Sequence, residues 1–190
     1  MAKKLTYSDE LVNACVEYCN SVEPFASNPA YSIEHRVNKG RMAFPIPGDL
    51  QQKYINCLSD KFLSNFDNSK IRIIVKEKHE HLFSCLYPVD GVTQGVFKHR
   101  DPIAKNGWEH LRINTLLQLA ESGGEPIIDN KQIPAKEKEV WSLWANKSLH
   151  SAMPISGNKR RILLSLGFHV EPTYVPEVKK LLHDIVDYAT

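Results

Sequence analysis

EVWSLWANKSLHSAMPISGNKRRILLSLGF, residues 139–168, decides how this chain folds. It holds short apolar runs, "EVWSLWA", "LHSAM" and "RRILLSLGFHV" (the last continuing to Val170), separated by Asn, Pro and Gly. Runs this short, rich in branched and aromatic residues and bounded by turn formers, read as strands. Arg161 is out of place in the last of them. A guanidinium entering an apolar strand is costly unless it meets an anion, and a bidentate pair with a carboxylate would stabilise it. Strand alternation puts Arg161, Leu163 and Ser165 on one face, so the Ser165 hydroxyl can reach the same anion.

The same texture extends back to Lys70, through "KIRIIVKEK", "HLFSCLYPV", "GVFKH", "HLRINTLLQL" and "EPIID". Eight short strands with Gly, Pro and Asn punctuation predict a sandwich or barrel. The flanks read as helices. Ser8 can cap a segment with Leu11, Cys15, Tyr18 and Cys19 at helical spacing. "GRMAFPIPG", residues 40–48, reads as a Pro-broken connection, followed by a helix from Asp49 to Phe66 with Tyr54, Cys57, Leu58, Phe62 and Leu63 on its apolar face. At the end, Pro176 fits a first helical turn, and Val178, Leu181, Leu182, Ile185 and Val186 form a stripe. The expected fold class is α+β, mostly β. It is a single domain over 1–190, with a helical support region at 1–69, a barrel core at 70–170 and a C-terminal helix at 174–189.

Composition narrows the function. Of 190 residues, 42% are hydrophobic and 24% charged, and the formal charge is only +2. That is ordinary for a soluble domain, with no basic stripe to serve as a nucleic-acid footprint. The charged start, MAKKLTYSDE, reads as neither a secretory signal nor a membrane span. Four cysteines without a CxxC pair argue against a zinc ribbon and for reduced thiols in a cytoplasmic protein.

A second stretch, FKHRDPIAKNGW at residues 97–108, carries His99 and Asp101 two residues apart. On a strand both face one way. An imidazole nitrogen and a carboxylate oxygen, joined by a second His, would make the two-His, one-carboxylate set of non-haem Fe(II) sites. His150, among apolar residues in "NKSLHSAMP", is the best downstream candidate. The pair His79 and His81 in the charged "KEKHEH" is a rival, read instead as a solvated hairpin turn. His35, His110, His169 and His183 read as ordinary surface or core histidines. Trp141 and Trp144 read as barrel packing, and Gly123-Gly124 as a tight turn.

From about Ser84 to Phe168 the chain resembles the Fe(II)- and 2-oxoglutarate-dependent dioxygenases of the prolyl-4-hydroxylase-like type. "LYPVDGVTQGVFKHRD" is similar to the stretch leading into their H-x-D. "NTLLQLAESGGEPIID" is similar to a strand ending in a Gly-Gly turn. "EVWSLWANKSLHSAMPISGNKRRILLSLGF" resembles the segment with the distal His, a Pro, a Gly turn and then Arg with Ser or Thr four residues on. The resemblance implies a double-stranded β-helix, a jelly-roll of cupin-like form. It implies Fe(II) on His99, Asp101 and His150, with O2 and 2-oxoglutarate as co-substrates. Arg161 would pair with the distal carboxylate of 2-oxoglutarate, assisted by Ser165, with Arg160 as the rival arginine. Tyr87 stands where the family often has a co-substrate Tyr. Gln118 replaces another such Tyr, and Asn114 and Arg112 are expected on its face. Trp108 and Arg112 are expected at the substrate mouth.

The implied reaction is hydroxylation of an unactivated C–H bond, with release of succinate and CO2. Asp101 argues against halogenases of this fold, which lack the carboxylate. The expected substrate is a small amino-acid-like metabolite. A protein or peptide side chain of prolyl type is the alternative. A nucleic-acid dealkylase and a non-catalytic β-barrel binding module are disfavoured, and no membrane partner is expected.

Overall fold

The computed structural model describes residues 4–22, 40–74, 81–88, 92–93, 95–104 and 106–190. His35 and His79 lie outside these residues. The framework is a large antiparallel sheet ordered β1 (Arg41–Pro45), β3 (His81–Leu86), β13 (Arg161–Val170), β6 (Glu109–Gln118), β10 (Val140–Trp144). A short β2 (Ile71–Ile73) pairs with β13 beyond the end of β3. Facing it is a smaller sheet, β5 (Val96–His99), β11 (His150–Ala152), β8 (Pro126–Ile128) and β9 (Lys131–Gln132). A third patch joins β4 (Val92–Thr93), β12 (Ile155–Ser156) and β7 (Ser122–Gly123). The strands form a double-stranded β-helix, as expected, and each of the eight predicted runs contributes a strand.

One face of the large sheet is covered by helices. Helix α1 (Asp9–Ser21) begins where the Ser8 hydroxyl accepts a hydrogen bond from the Leu11 N–H, 3.3 Å. It buries Val12, Cys15 and Cys19 against the sheet residues Ile162, Leu164, Leu166 and Phe168. Helix α2 (Gly48–Lys61) adds Leu50 and Tyr54 to the same core, and Phe62 follows it. Helix α3 (Val175–Ile185) adds Val178, Leu182 and Ile185. The opposite face of the sheet is left to form the wall of a cavity.

Three expectations change. Residues 41–45 are not a loop but the edge strand β1, paired with β3 from Arg41↔Leu86 to Pro45↔Leu82. Pro45 is tolerated because it ends an edge strand, and only the partner strand makes this segment extended. The second helix stops at Lys61 and gives way to a 3-10 turn at Leu63–Asn65. The C-terminal helix stops at Ile185. The tail then runs beside β10, with the Ser142 N–H donating to the Tyr188 carbonyl at 2.9 Å and a bridge between Trp141 and Tyr188.

Candidate metal centre and anion pocket

His99 and His150 sit directly opposite one another on β5 and β11. Directly paired residues share a face, so both rings point to one spot, with centroids 4.3 Å apart. Each ring is fixed the same way. His99 Nδ1 donates to the Phe97 carbonyl at 2.9 Å, and His150 Nδ1 to the Ser148 carbonyl at 3.0 Å. A carbonyl can only accept, so Nδ1 carries a proton and Nε2, which faces inward, is the nitrogen left to ligate a metal.

Asp101 follows β5, its N–H held by the Ala145 carbonyl at 2.8 Å. Its Oδ1 lies 3.7 Å from the Nε2 atoms of both histidines. Ligand atoms of all three residues fall within 4.8 Å of one another, a set that could hold one metal ion. The other oxygen, Oδ2, accepts from Arg112 Nε at 2.7 Å and stands 3.7 Å from His110 Nδ1. Burial pushes the Asp101 carboxyl up, but the adjacent Arg112 guanidinium, with His110 and His150, outweighs that and holds it below the usual carboxylate range. Burial, reinforced by His99 and Arg112, pulls His150 below the ordinary histidine value, although the Ser148 carbonyl and Asp101 act the other way. Both shifts, on Asp101 and on His150, favour the protonation state a metal ligand requires.

The large sheet builds the facing wall. Leu86 on β3 lies abreast of Arg41 on β1 and of Arg161 on β13, so the two arginines occupy one row. Next to them come Ser84, Leu163 and Ser165, then Asn114 paired with both Ser165 and Trp141. All of these but Leu86, together with the His–Asp–His cluster, line a cavity of about 110 Å³, room for several waters or one small organic acid. Arg161 is 2% exposed, and its Nε has no hydrogen-bond partner. The same holds for Asn114 Oδ1. Buried polar atoms are rarely left so, and here both belong to residues lining the cavity. Gly124, with φ +85°, makes room: a Cβ there would stand 3.1 Å from Arg161 Cδ and 2.9 Å from Ile155 Cγ2.

Of the sequence-predicted residues, the structure brings His99, Asp101, His150, Arg161, Ser165, Asn114 and Arg112 to this cavity. Arg112 is turned to Asp101 and also donates to Ser165 Oγ at 3.2 Å. Arg160 points the other way, donating to the Cys19 and Val22 carbonyls at 2.7 and 2.8 Å, where α1 ends. Gln118, Tyr87 and Trp108 are elsewhere. The pairing of β6 with β13 slips between Ile162 and Leu163, leaving Leu117 as an extra residue. That bulge reverses the alternation, so Gln118 lies opposite the core residue Ile162 and donates to the Arg160 carbonyl at 2.8 Å. Tyr87 is buried in the core beneath the helices. Trp108 lies under the Arg72 guanidinium, 4.9 Å from its ring centroid.

Arg41, Ser84 and Trp141 line the cavity without having been singled out as site residues. Arg41 carried the same signal as Arg161, an arginine heading the apolar "RMAF", but its segment did not read as a strand. Trp141 is indistinguishable by sequence from a packing residue.

No protein-family model and no curated protein matches the sequence. Solved structures do match the fold. HygX from Streptomyces hygroscopicus, with nickel and 2-oxoglutarate bound, superposes with a TM-score of 0.57 at 9% identity, over 88% of this chain and 81% of that one. A Pseudomonas putida prolyl-4-hydroxylase gives 0.53 at 12% identity, over 89% and 90%. The viral collagen prolyl hydroxylase of Paramecium Bursaria Chlorella virus-1 gives 0.51 at 13% identity, over 88% of each chain. At these identities the likeness is one of fold, and the chain shares the double-stranded β-helix of these three proteins over nearly its whole length.

Proposed function

We propose that this protein is an Fe(II)- and 2-oxoglutarate-dependent dioxygenase that hydroxylates a C–H bond of a small amino-acid-like metabolite. One observation carries the reading: His99, Asp101 and His150 converge on a cavity whose facing wall holds Arg161, buried and with an unsatisfied Nε. A metal-binding triad alone would fit many roles. A triad opposite a buried cation fits a chelating acid with a second carboxylate.

The donor set suits iron. Two imidazoles and one carboxylate leave positions open for ligands that are not protein. With 2-oxoglutarate, bound Fe(II) supplies O2 activation coupled to decarboxylation, giving succinate, CO2 and the hydroxylated product. The chain's part is orientation. The Phe97 and Ser148 carbonyls fix both rings, Arg112 fixes the carboxylate, and Arg161 with Ser165 anchors the far end of the co-substrate. Trp141, Leu143, Ile128 and Leu163 supply the apolar lining that thins out water.

The small-molecule substrate is supported by HygX, which has also been crystallised with hygromycin B. The two prolyl hydroxylases among the neighbours support a peptide substrate as the second reading. A screen of substrate-stimulated succinate formation over free amino acids, peptides and alkylated bases separates these. Stimulation by a free amino acid or relative is expected. Stimulation by peptides alone overturns the metabolite assignment, and no succinate with any substrate counts against the enzyme.

A further inference from the structure

Arg41 lines the cavity and has no role in the reading above. It enters from the edge strand β1, in one row with Arg161 across Leu86. Two strand spacings, roughly 9–10 Å, separate their backbones. Its Nε donates to Ser84 Oγ at 3.5 Å, which orients the stem. Ser84 pairs with Leu163, one row nearer than Arg161 to the Ser165–Asn114 pair and to Arg112, which holds Asp101. The Arg41 stem therefore leans out of Arg161's row towards the His–Asp–His cluster. The charges agree: Arg112 and Asp101 act on Arg41, whereas Arg41 and Glu125 act on Arg161.

Burial, and then repulsion by its arginine neighbour, lowers each of Arg41 and Arg161 to about 10. Both stay charged at neutral pH, and both would gain from an anion. A dicarboxylic 2-oxo acid chelating a metal at the cluster presents one carboxylate beside the metal and another deeper in.

We propose that Arg41 holds the metal-side carboxylate of the 2-oxo acid, so that the co-substrate is gripped by an arginine at each end. This rests on the dioxygenase reading and extends it to a residue outside the predicted set. The alternative is that Arg41 joins Arg161 on the far carboxylate.

Calorimetric titration of the Mn(II)-loaded protein distinguishes them, using 2-oxoglutarate and 2-oxopentanoate, which has a methyl in place of the far carboxylate. Arg161→Gln should weaken 2-oxoglutarate at least about tenfold and leave 2-oxopentanoate unchanged. Arg41→Gln should weaken both ligands at least about tenfold. Arg41→Lys, which keeps the charge without the fork, should lose less, and its intact melting transition excludes a folding defect. If Arg41→Gln spares 2-oxopentanoate, Arg41 does not hold the metal-side carboxylate and the proposal is wrong. If the wild-type protein itself binds neither oxo acid, the dioxygenase reading goes with it, an outcome distinct from an insensitive Arg41.

Discussion

At the residue scale, the candidate metal site depends on how one carboxylate is shared. Asp101 gives Oδ2 to Arg112 and turns Oδ1 between the two Nε2 atoms. Arg112→Gln should release that carboxylate. Partners that orient metal ligands typically contribute about 10–100-fold in affinity, so Co(II) or Mn(II) titration should show a loss of that size. His150 predicts a pH dependence. Its ring is half-buried and its folded value is lowered, chiefly by desolvation, so below the ordinary histidine value of about 6.5 the unfolded chain takes up a proton that the folded one resists. The metal-free protein should therefore lose stability as pH falls from 7 towards 5. His150→Gln, which cannot titrate, should show a shallower fall in Tm over that range.

At the element scale, adjacent residues on one strand have unrelated tasks. Arg160 closes the end of α1, and Arg161 faces the cavity. Arg160→Gln removes two charge-assisted hydrogen bonds and should cost about 1–3 kcal/mol, lowering Tm by a few degrees while 2-oxoglutarate binding survives. Arg161→Gln should do the reverse. Gly124→Ala should damage both, because its φ of +85° disfavours a side chain and the added methyl presses on the Arg161 stem. Elements with their own apolar pattern were legible in the sequence: the eight strand runs, the Ser8 cap, and Arg161 with Ser165 on one face. Features set by a neighbouring strand were not. β1 is extended only because β3 pairs with it, and the extra residue Leu117 moved Gln118 off the face that simple alternation assigned to it. The local pattern of "INTLLQ" contains no sign of that bulge.

At the scale of the whole molecule, the large sheet separates two environments. One face packs against α1, α2 and α3 in a continuous apolar core, and the other carries the buried Arg161 with the half-buried Arg41 and Arg112. Among the described residues no helix is long and apolar enough to cross a membrane. Such a polar interior costs stability until ligands fill it, so occupancy should be visible as melting temperature. At metal and 2-oxoglutarate concentrations about 100-fold above Kd, each ligand should add about 2.7 kcal/mol, or several degrees for a chain of this size. The Asp101→Ala protein should gain nothing from either. The central claim is the joint presence of the triad and the acid anchor, and anaerobic absorbance reads it most directly. Fe(II) and 2-oxoglutarate added together to the wild-type protein should give a weak visible charge-transfer band, lost in His99→Ala, Asp101→Ala and His150→Ala. A wild-type protein without the band, or variants that keep it unchanged, would contradict the account.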